Sequence, residues 1–300
     1  MLTAALLGPG AALGCGLAYL AIDYLRKVVD APPRQILFVF IGLQIPVLAG
    51  WAWYSGGFGT PASAYWLPGV ADIAAGMGAN VLYLLALRRS PLSLMVPLLA
   101  LVPGVTLVFS GVMLGEWPSL MQTIGIVTVV AGLFVLYSAG EPGSGSGVLA
   151  PLANAVRNLR REPGARLMMG VVVLWSTTPG FDKLCIAQSS VGMHGFIQVA
   201  AITALIGLWI AILDGPRAFG VKLEARRPLL LAGVLGGVGY VLQLAAYQLM
   251  LVAAVELIRR VSGILGAQVV GRFALAEPMT PAKIAGVLII AAGLPLVLWN

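Results

Sequence analysis

Residues 92–115 read LSLMVPLLALVPGVTLVFSGVMLG, an apolar run without one ionisable side chain. At about 1.5 Å of rise per residue, a helix of that length matches the roughly 30 Å hydrocarbon core of a bilayer. The rest of the chain has the same character. Its 300 residues are 60% hydrophobic and 10% charged, whereas soluble domains run near 45–50% apolar and about 25% charged. No water-soluble fold can bury that much apolar surface, so lipid is the solvent.

Dividing the chain at charges, Pro/Gly turns and polar clusters gives ten apolar segments, numbered in chain order: 3–24, 35–54, 66–87, 92–114, 120–138, 167–188, 194–213, 228–248, 253–275 and 282–299. The formal charge of +7 does not point to nucleic acid, because the basic residues lie in short clusters between apolar runs. Cys15 and Cys185 both fall inside apolar segments, which leaves neither a disulfide framework nor paired metal-ligand spacing. The earliest basic residue is Arg26, so the start lacks the basic region of a cleaved leader and reads as segment 1.

The longest polar connection, residues 140–166, opens as GEPGSGSG and continues with Arg157, Arg160 and Arg161. It separates residues 1–139 from 167–300, five segments on each side. A gapless shift of 161 residues aligns Gly76 with Gly237, Gly78 with Gly239, Leu114 with Leu275, Glu116 with Glu277, Gly125 with Gly286 and Gly132 with Gly293. An odd number of crossings per copy makes such a repeat inverted in the membrane. Charges give an independent test. Basic residues crowd the connections after segments 1 (Arg26, Lys27, Arg34), 3 (Arg88, Arg89), 5 (Arg157, Arg160, Arg161, Arg166) and 7 (Arg217, Lys222, Arg226, Arg227), while those after segments 2, 4, 6 and 8 offer only Lys183. The positive-inside rule places the odd connections, including 140–166, in the cytoplasm and both termini outside.

Two stretches close the halves with a Leu-Gly/Ala-Glu turn and a glycine-spaced last segment: SPLSLMVPLLALVPGVTLVFSGVMLGEWPSLMQTIGIVTVVAGLFVLY (residues 90–137) and LGAQVVGRFALAEPMTPAKIAGVLIIAAGLPLVLW (residues 265–299). In these motifs the chain resembles the EamA-type family of the drug/metabolite transporter superfamily. The resemblance implies an all-α integral membrane fold of ten transmembrane helices in two inverted five-helix repeats, and alternating-access transport of a small solute with no chemistry done on it. It also implies that the first helix of each repeat lines the cavity, which brings in Tyr19 and Trp175. Many relatives keep their termini in the cytoplasm, and there the charge pattern of this chain departs.

Several motifs carry both a structural and a functional reading. Gly125 with Gly132, and Gly286 with Gly293, recur seven apart, a face that lets a neighbouring backbone approach closely. Segments 5 and 10 therefore read as packing helices, apart from a cavity walled by segments 1, 3, 4, 6, 8 and 9. Glu116 and Glu277 end helices where a carboxylate opposes the dipole; the start of the next helix must hold them, or they couple protons. Gly8-Pro9-Gly10, Pro103-Gly104 and Pro179-Gly180 interrupt apolar segments, predicting kinks; the latter two are the candidate hinges.

Polar residues inside a bilayer helix should face inward. Asp72 and Asn80 on segment 3 lie near one face, and Tyr240, Gln243 and Tyr247 on segment 8 form a second stripe; both either meet solute or bond between helices. His194 reads as a surface residue at the start of segment 7. Asp23 with Arg26 or Lys27, and Asp182 with Lys183, read as ion pairs at helix ends. The sharpest feature is on segment 9, where Glu256, Arg259 and Arg260 share one face; the equivalents in the first half are Met95, Leu98 and Leu99. The spacing favours a pair between Glu256 and Arg260. The arginines either bind an anionic group of the solute, with Glu256 assisting, or snorkel to the headgroups and anchor the helix.

The sequence thus reads as a multi-pass inner (plasma) membrane transporter, an exporter of a small polar or anionic metabolite. Proton or ion coupling is open; no cofactor, metal or nucleic acid is expected, and the chain acts as a monomer in the bilayer. The alternative is a membrane-embedded enzyme or flippase acting on a lipid-linked substrate. The sequence offers that no HExxH motif, no Cys/His pair and, for an ATPase, no Walker lysine loop.

Overall fold

A computed structural model of the chain describes residues 7–18, 32–89, 96–138, 162–215, 219, 223–274 and 280–298. These residues form α-helices joined by short turns, with no strand among them. The helices are α1 (Leu7–Ala18), α2 (Pro33–Gly42), α3 (Ile45–Tyr54), α4 (Trp66–Arg89), α5 (Val102–Leu114), α6 (Leu120–Ser138), α7 (Pro163–Ala187), α8 (Val191–Leu213), α9 (Leu223–Leu249), α10 (Val252–Ala274) and α11 (Pro281–Val297). Four spans are long and apolar enough to cross a membrane: Pro33–Tyr54, Ser63–Ala86, Val191–Leu213 and Arg227–Leu249. Large apolar side chains such as Leu67, Val127, Leu208, Ile212 and Leu288 point outward, and Trp53, Tyr54, Trp66 and Trp117 are exposed at helix ends. That is the pattern of a lipid-facing surface with interfacial aromatics.

Local chemistry sets the ends. Ser190 caps α8, its hydroxyl accepting from the Met193 N–H, and Thr280 caps α11 through the Lys283 N–H with Pro281 in the first turn. α5 stops at Gly115, whose φ of +70° is the left-handed turn that favours glycine. Before α6, Ser119 and Gln122 form a reciprocal box: the Ser119 hydroxyl accepts from the Gln122 N–H at 3.3 Å and the Gln122 amide oxygen accepts from the Ser119 N–H at 2.9 Å. With α6 capped in this way, Glu116 is available elsewhere. Its carboxylate accepts the N–H of Val252 at 3.0 Å, at the positive end of α10. The carboxylate is thus held by a helix start, though not that of the next helix in sequence.

Segment 2 is two helices, broken at Leu43–Gln44, with Pro46 in the first turn of α3. Segment 4 begins as a 3-10 helix (Val96–Leu101), and Pro103 stands in the first turn of α5, where a missing N–H costs nothing. The expected kink there is a 3-10 to α junction. α7 starts at Pro163, inside the stretch read as linker; residues 139–161, like Met1, Asn300, Asp23, Arg26, Lys27 and Glu277, lie outside the described residues.

Two compact units cut across the sequence halves. Unit 1 takes Met1–Met77 and Phe181–Met250; unit 2 takes Gly78–Gly180 and Leu251–Asn300. In unit 1, α8 packs on α2 and α3, and α9 packs on the same pair and on α8. In unit 2, α6 lies along α11 through the glycine faces. A Cβ on Gly132 would sit 3.0 Å from the Gly286 carbonyl oxygen, and one on Gly125 would sit 2.9 Å from that of Gly293. The two backbones touch where the spacing predicted a packing face.

Gly132→Val should therefore cost about 1–3 kcal/mol of stability by overpacking, read as a lower melting temperature of the purified protein. Gly50→Val, where nothing lies within 4 Å of an added Cβ, should leave it unchanged. Equal falls in both would contradict the α6–α11 contact.

Candidate functional site

Unit 1 holds a buried polar cluster assembled from five elements. Asp72 comes from the second turn of α4, Asp182 from the end of α7, His194 and Gln198 from one face of α8, Tyr65 from the 3-10 turn Ser63–Tyr65, and Tyr240 from α9. Asp72 and His194 are fully buried, and Asp182 and Gln198 nearly so. The His194 Nε2 lies 2.8 Å from Asp182 Oδ1 and 3.7 Å from Asp72 Oδ2, and its Nδ1 lies 3.1 Å from the Tyr65 hydroxyl. Tyr240 donates to Asp182 Oδ1 at 2.9 Å, and the Gln198 amide donates to Asp72 Oδ2 at 2.6 Å. The other oxygen of Asp72 has no hydrogen-bond partner.

Charge decides what this arrangement can be. Two carboxylates face one imidazole, and no lysine or arginine pairs with the three among the described residues. Even with His194 protonated, the cluster keeps one negative charge too many. An unbalanced charge away from water is so costly that the group takes up a proton instead. The ligand atoms of Asp72, Asp182 and His194 lie within 4.8 Å of one another. Hydrogen bonds already engage His194 Nε2, Asp182 Oδ1 and Asp72 Oδ2, while Asp72 Oδ1 is left unbonded.

His194 and Asp182 correct the sequence reading. His194 is not on the surface, and Asp182 pairs with His194 and Tyr240 rather than with Lys183. The Lys183 ammonium donates to the Met250 carbonyl at 3.1 Å, just past the end of α9. Of the remaining residues singled out, Gln243 donates to the Tyr247 hydroxyl at 2.6 Å and accepts from the Cys15 thiol. The Gln243–Tyr247 stripe therefore bonds within its helix and to α1. Asn80 is half-buried on α4, and Tyr19 lies outside the described residues.

In unit 2, Glu256 is fully buried on α10 and its carboxylate is ion-paired with the Arg259 guanidinium. This pair is spaced three residues apart, one fewer than the Glu256–Arg260 order the spacing favoured. Arg259 and Arg260 are both partly buried on the same side of the helix. The half-buried Trp175 stacks on Tyr83, ring centroids 5.5 Å apart.

An all-helical membrane fold with charges buried inside apolar helices now has a match among known proteins. Residues 2–138 match the EamA-like transporter family. Over those residues the chain is EamA-like, the family of the drug/metabolite transporter superfamily that its motifs resemble. No curated protein matches it. A solved crystal structure aligns over 98% of this chain and 98% of its own, with a TM-score of 0.74 and 19% identity, a likeness in fold. EamA-like proteins are multi-pass membrane transporters.

The candidate hinges Pro103-Gly104 and Pro179-Gly180 lie in unit 2. Pro179 sits inside α7 and withholds a donor from the Trp175 carbonyl. The Thr178 hydroxyl donates to that carbonyl instead, at 3.3 Å, so the freed oxygen is satisfied without lipid contact. Gly180 faces Met113 of α5. What the sequence reading missed is the polar line Ser190, His194, Gln198. Its four-residue spacing marks one face of α8 and was the available signal.

Tyr65→Phe strips the hydroxyl from a buried imidazole nitrogen and should cost about 1–3 kcal/mol, seen as a lower melting temperature. Tyr54→Phe removes an exposed hydroxyl and should have no effect. An unchanged melting temperature for Tyr65→Phe would contradict the bond.

Proposed function

We propose that the chain is a secondary transporter that exports a small polar or anionic metabolite across the inner membrane. In this reading ten transmembrane helices form two inverted five-helix repeats, both termini lie outside, and the monomer works by alternating access. The observation that carries it is the charged face of α10. An arginine within the hydrocarbon costs at least about 2.5–3.5 kcal/mol on insertion scales. The first repeat has Met95, Leu98 and Leu99 at the equivalent positions, so the fold does not require the charges. Glu256 holds the Arg259 guanidinium in place, and Arg259 and Arg260 together offer paired donors suited to a carboxylate or phosphate.

Asn80 and Trp175, in the same unit as the arginines, are the further residues of this solute path. Pro103-Gly104 and Pro179-Gly180 are the hinges. α7 has the hydroxyls a moving break needs, because Thr177 and Thr178 already bond the carbonyls of Leu174 and Trp175. Proton or ion coupling completes the reading, with no cofactor and no covalent step.

Arginine-to-lysine exchange separates binding from anchoring, since lysine keeps the charge but loses the planar fork. In proteoliposomes, Arg259→Lys and Arg260→Lys should each lower flux of a radiolabelled carboxylate or phosphate ester at least about tenfold, the size of one lost charged hydrogen bond, with folding intact. Wild-type flux in both would remove these residues from the site.

A further inference from the structure

The cluster in unit 1 is left without a role by the solute site on α10. We propose that Asp72, Asp182 and His194 form a proton-binding site, loaded through Tyr65, that supplies the coupling ion for the transport described above. The word coupling rests on that transport reading; the proton site does not.

Three observations carry the inference. The first is the charge count, which leaves the buried network one positive charge short unless a further proton enters it. The second is the orphaned Asp72 Oδ1, a fully buried carboxylate oxygen with no donor. Such an oxygen gains nothing from ionisation, which makes Asp72 the place for the extra proton. The third is a route. A polar pocket of about 330 Å³ is lined by Ser55, Ala62, Gln188, Ser190 and Met193, among others of the same two loops. Tyr65 lies three residues beyond Ala62, and His194 directly follows Met193. The pocket lining is thus next along the chain to both partners of the bond between the Tyr65 hydroxyl and His194 Nδ1.

The transfer balances along those bonds. A hydronium ion in the pocket gives a proton to the Tyr65 oxygen as the hydroxyl passes its own to His194 Nδ1, and water is left behind. The resulting imidazolium releases its Nε2 proton to Asp182 Oδ1, at 2.8 Å, and from there the proton crosses to Asp72 over the hydrogen bond the two carboxyl groups share. Neutral His194 is left in its other tautomer and Asp72 has become a carboxylic acid; a second proton, taken up once the imidazole has returned to its first tautomer, leaves an imidazolium against the one remaining carboxylate and closes the charge count. Tyr240 and Gln198 hold the two carboxylates in position by donating to them.

Other titratable groups around α8 are accounted for. On α2, Arg34 pairs with Asp214 at the far end of α8, at 2.9 Å. On α3, Tyr54 is exposed, and on α9, Tyr247 is bonded to Gln243. On α7, Lys183 bonds the Met250 carbonyl, and Cys185 is a buried free thiol.

Infrared difference spectroscopy of the purified protein over a pH titration tests the site directly, with the proton as the only ligand. Wild type should show the C=O stretch of a protonated carboxyl that titrates. Asp72→Asn, which keeps an acceptor for Gln198, should lose that band, and Asp72→Glu should shift its position. His194→Gln should keep the band but slow its appearance after a pH jump. An identical band in Asp72→Asn and in the Asp72→Asn/Asp182→Asn double variant would overturn the proposal, as would loss of the band on adding zinc and its return with a chelator.

A second arm tests coupling in proteoliposomes with radiolabelled carboxylates and phosphate esters. Wild type should accumulate label against a gradient when a pH difference is imposed. Asp72→Asn should exchange label without accumulating it. Equal accumulation in the two proteins would refute coupling at this site while the infrared result stands. Failure of wild type to move any of these probes would count against the solute class and leave the infrared result to decide the proton site.

Discussion

A charge buried among apolar helices in a bilayer has no water to stabilise it, so every such charge must find its balance within the protein or in what the protein binds. The two units meet this constraint differently. On α10, Glu256 is ion-paired with Arg259, and Arg260 is the next residue along the same helix. In the cluster around His194 the imbalance is negative: two carboxylates against one imidazole, with an oxygen of Asp72 unbonded. On the reading proposed here, the first place receives an anion and the second a proton.

The packing that holds these charges depends on small residues. α6 and α11 meet backbone to backbone at Gly125, Gly132, Gly286 and Gly293, which provides van der Waals contact where lipid supplies no hydrophobic drive for association. In unit 1, Gly192 brings α8 so close to Ala52 that an added Cβ would lie 2.5 Å from the Ala52 Cα. That approach positions the first turns of α8, and with them His194 and Gln198. Glu116 contributes to the other site, because its bond to the Val252 N–H anchors the start of the helix that carries Glu256 and Arg259.

Membrane character, the family and the glycine packing faces were legible in the sequence because each depends on a local regularity: apolar runs, a 161-residue register, a seven-residue spacing. The charged face of α10 was legible for the same reason, since three ionisable residues within five positions mark one side of a helix. The unit 1 cluster was only half visible. Asp72 and Tyr240 stood out as isolated polar residues in apolar segments, but Asp182 and His194 fall near segment ends, where polar side chains ordinarily sit in the interface at little cost. Their burial follows from Tyr65, brought over from a turn 129 residues before His194, and no local pattern announces such a partner. The Glu256–Arg259 pair, three residues apart, is one that the helical order favouring Arg260 did not single out.

The central claim is that the solute is a small anion. Ligand binding to the folded state raises apparent stability, so melting curves of the purified protein against metabolites matched in size but differing in charge test it most directly. Carboxylates and phosphate esters should raise the melting temperature in a concentration-dependent way, while amines of the same size leave it unchanged. Stabilisation by the amines alone would contradict the account.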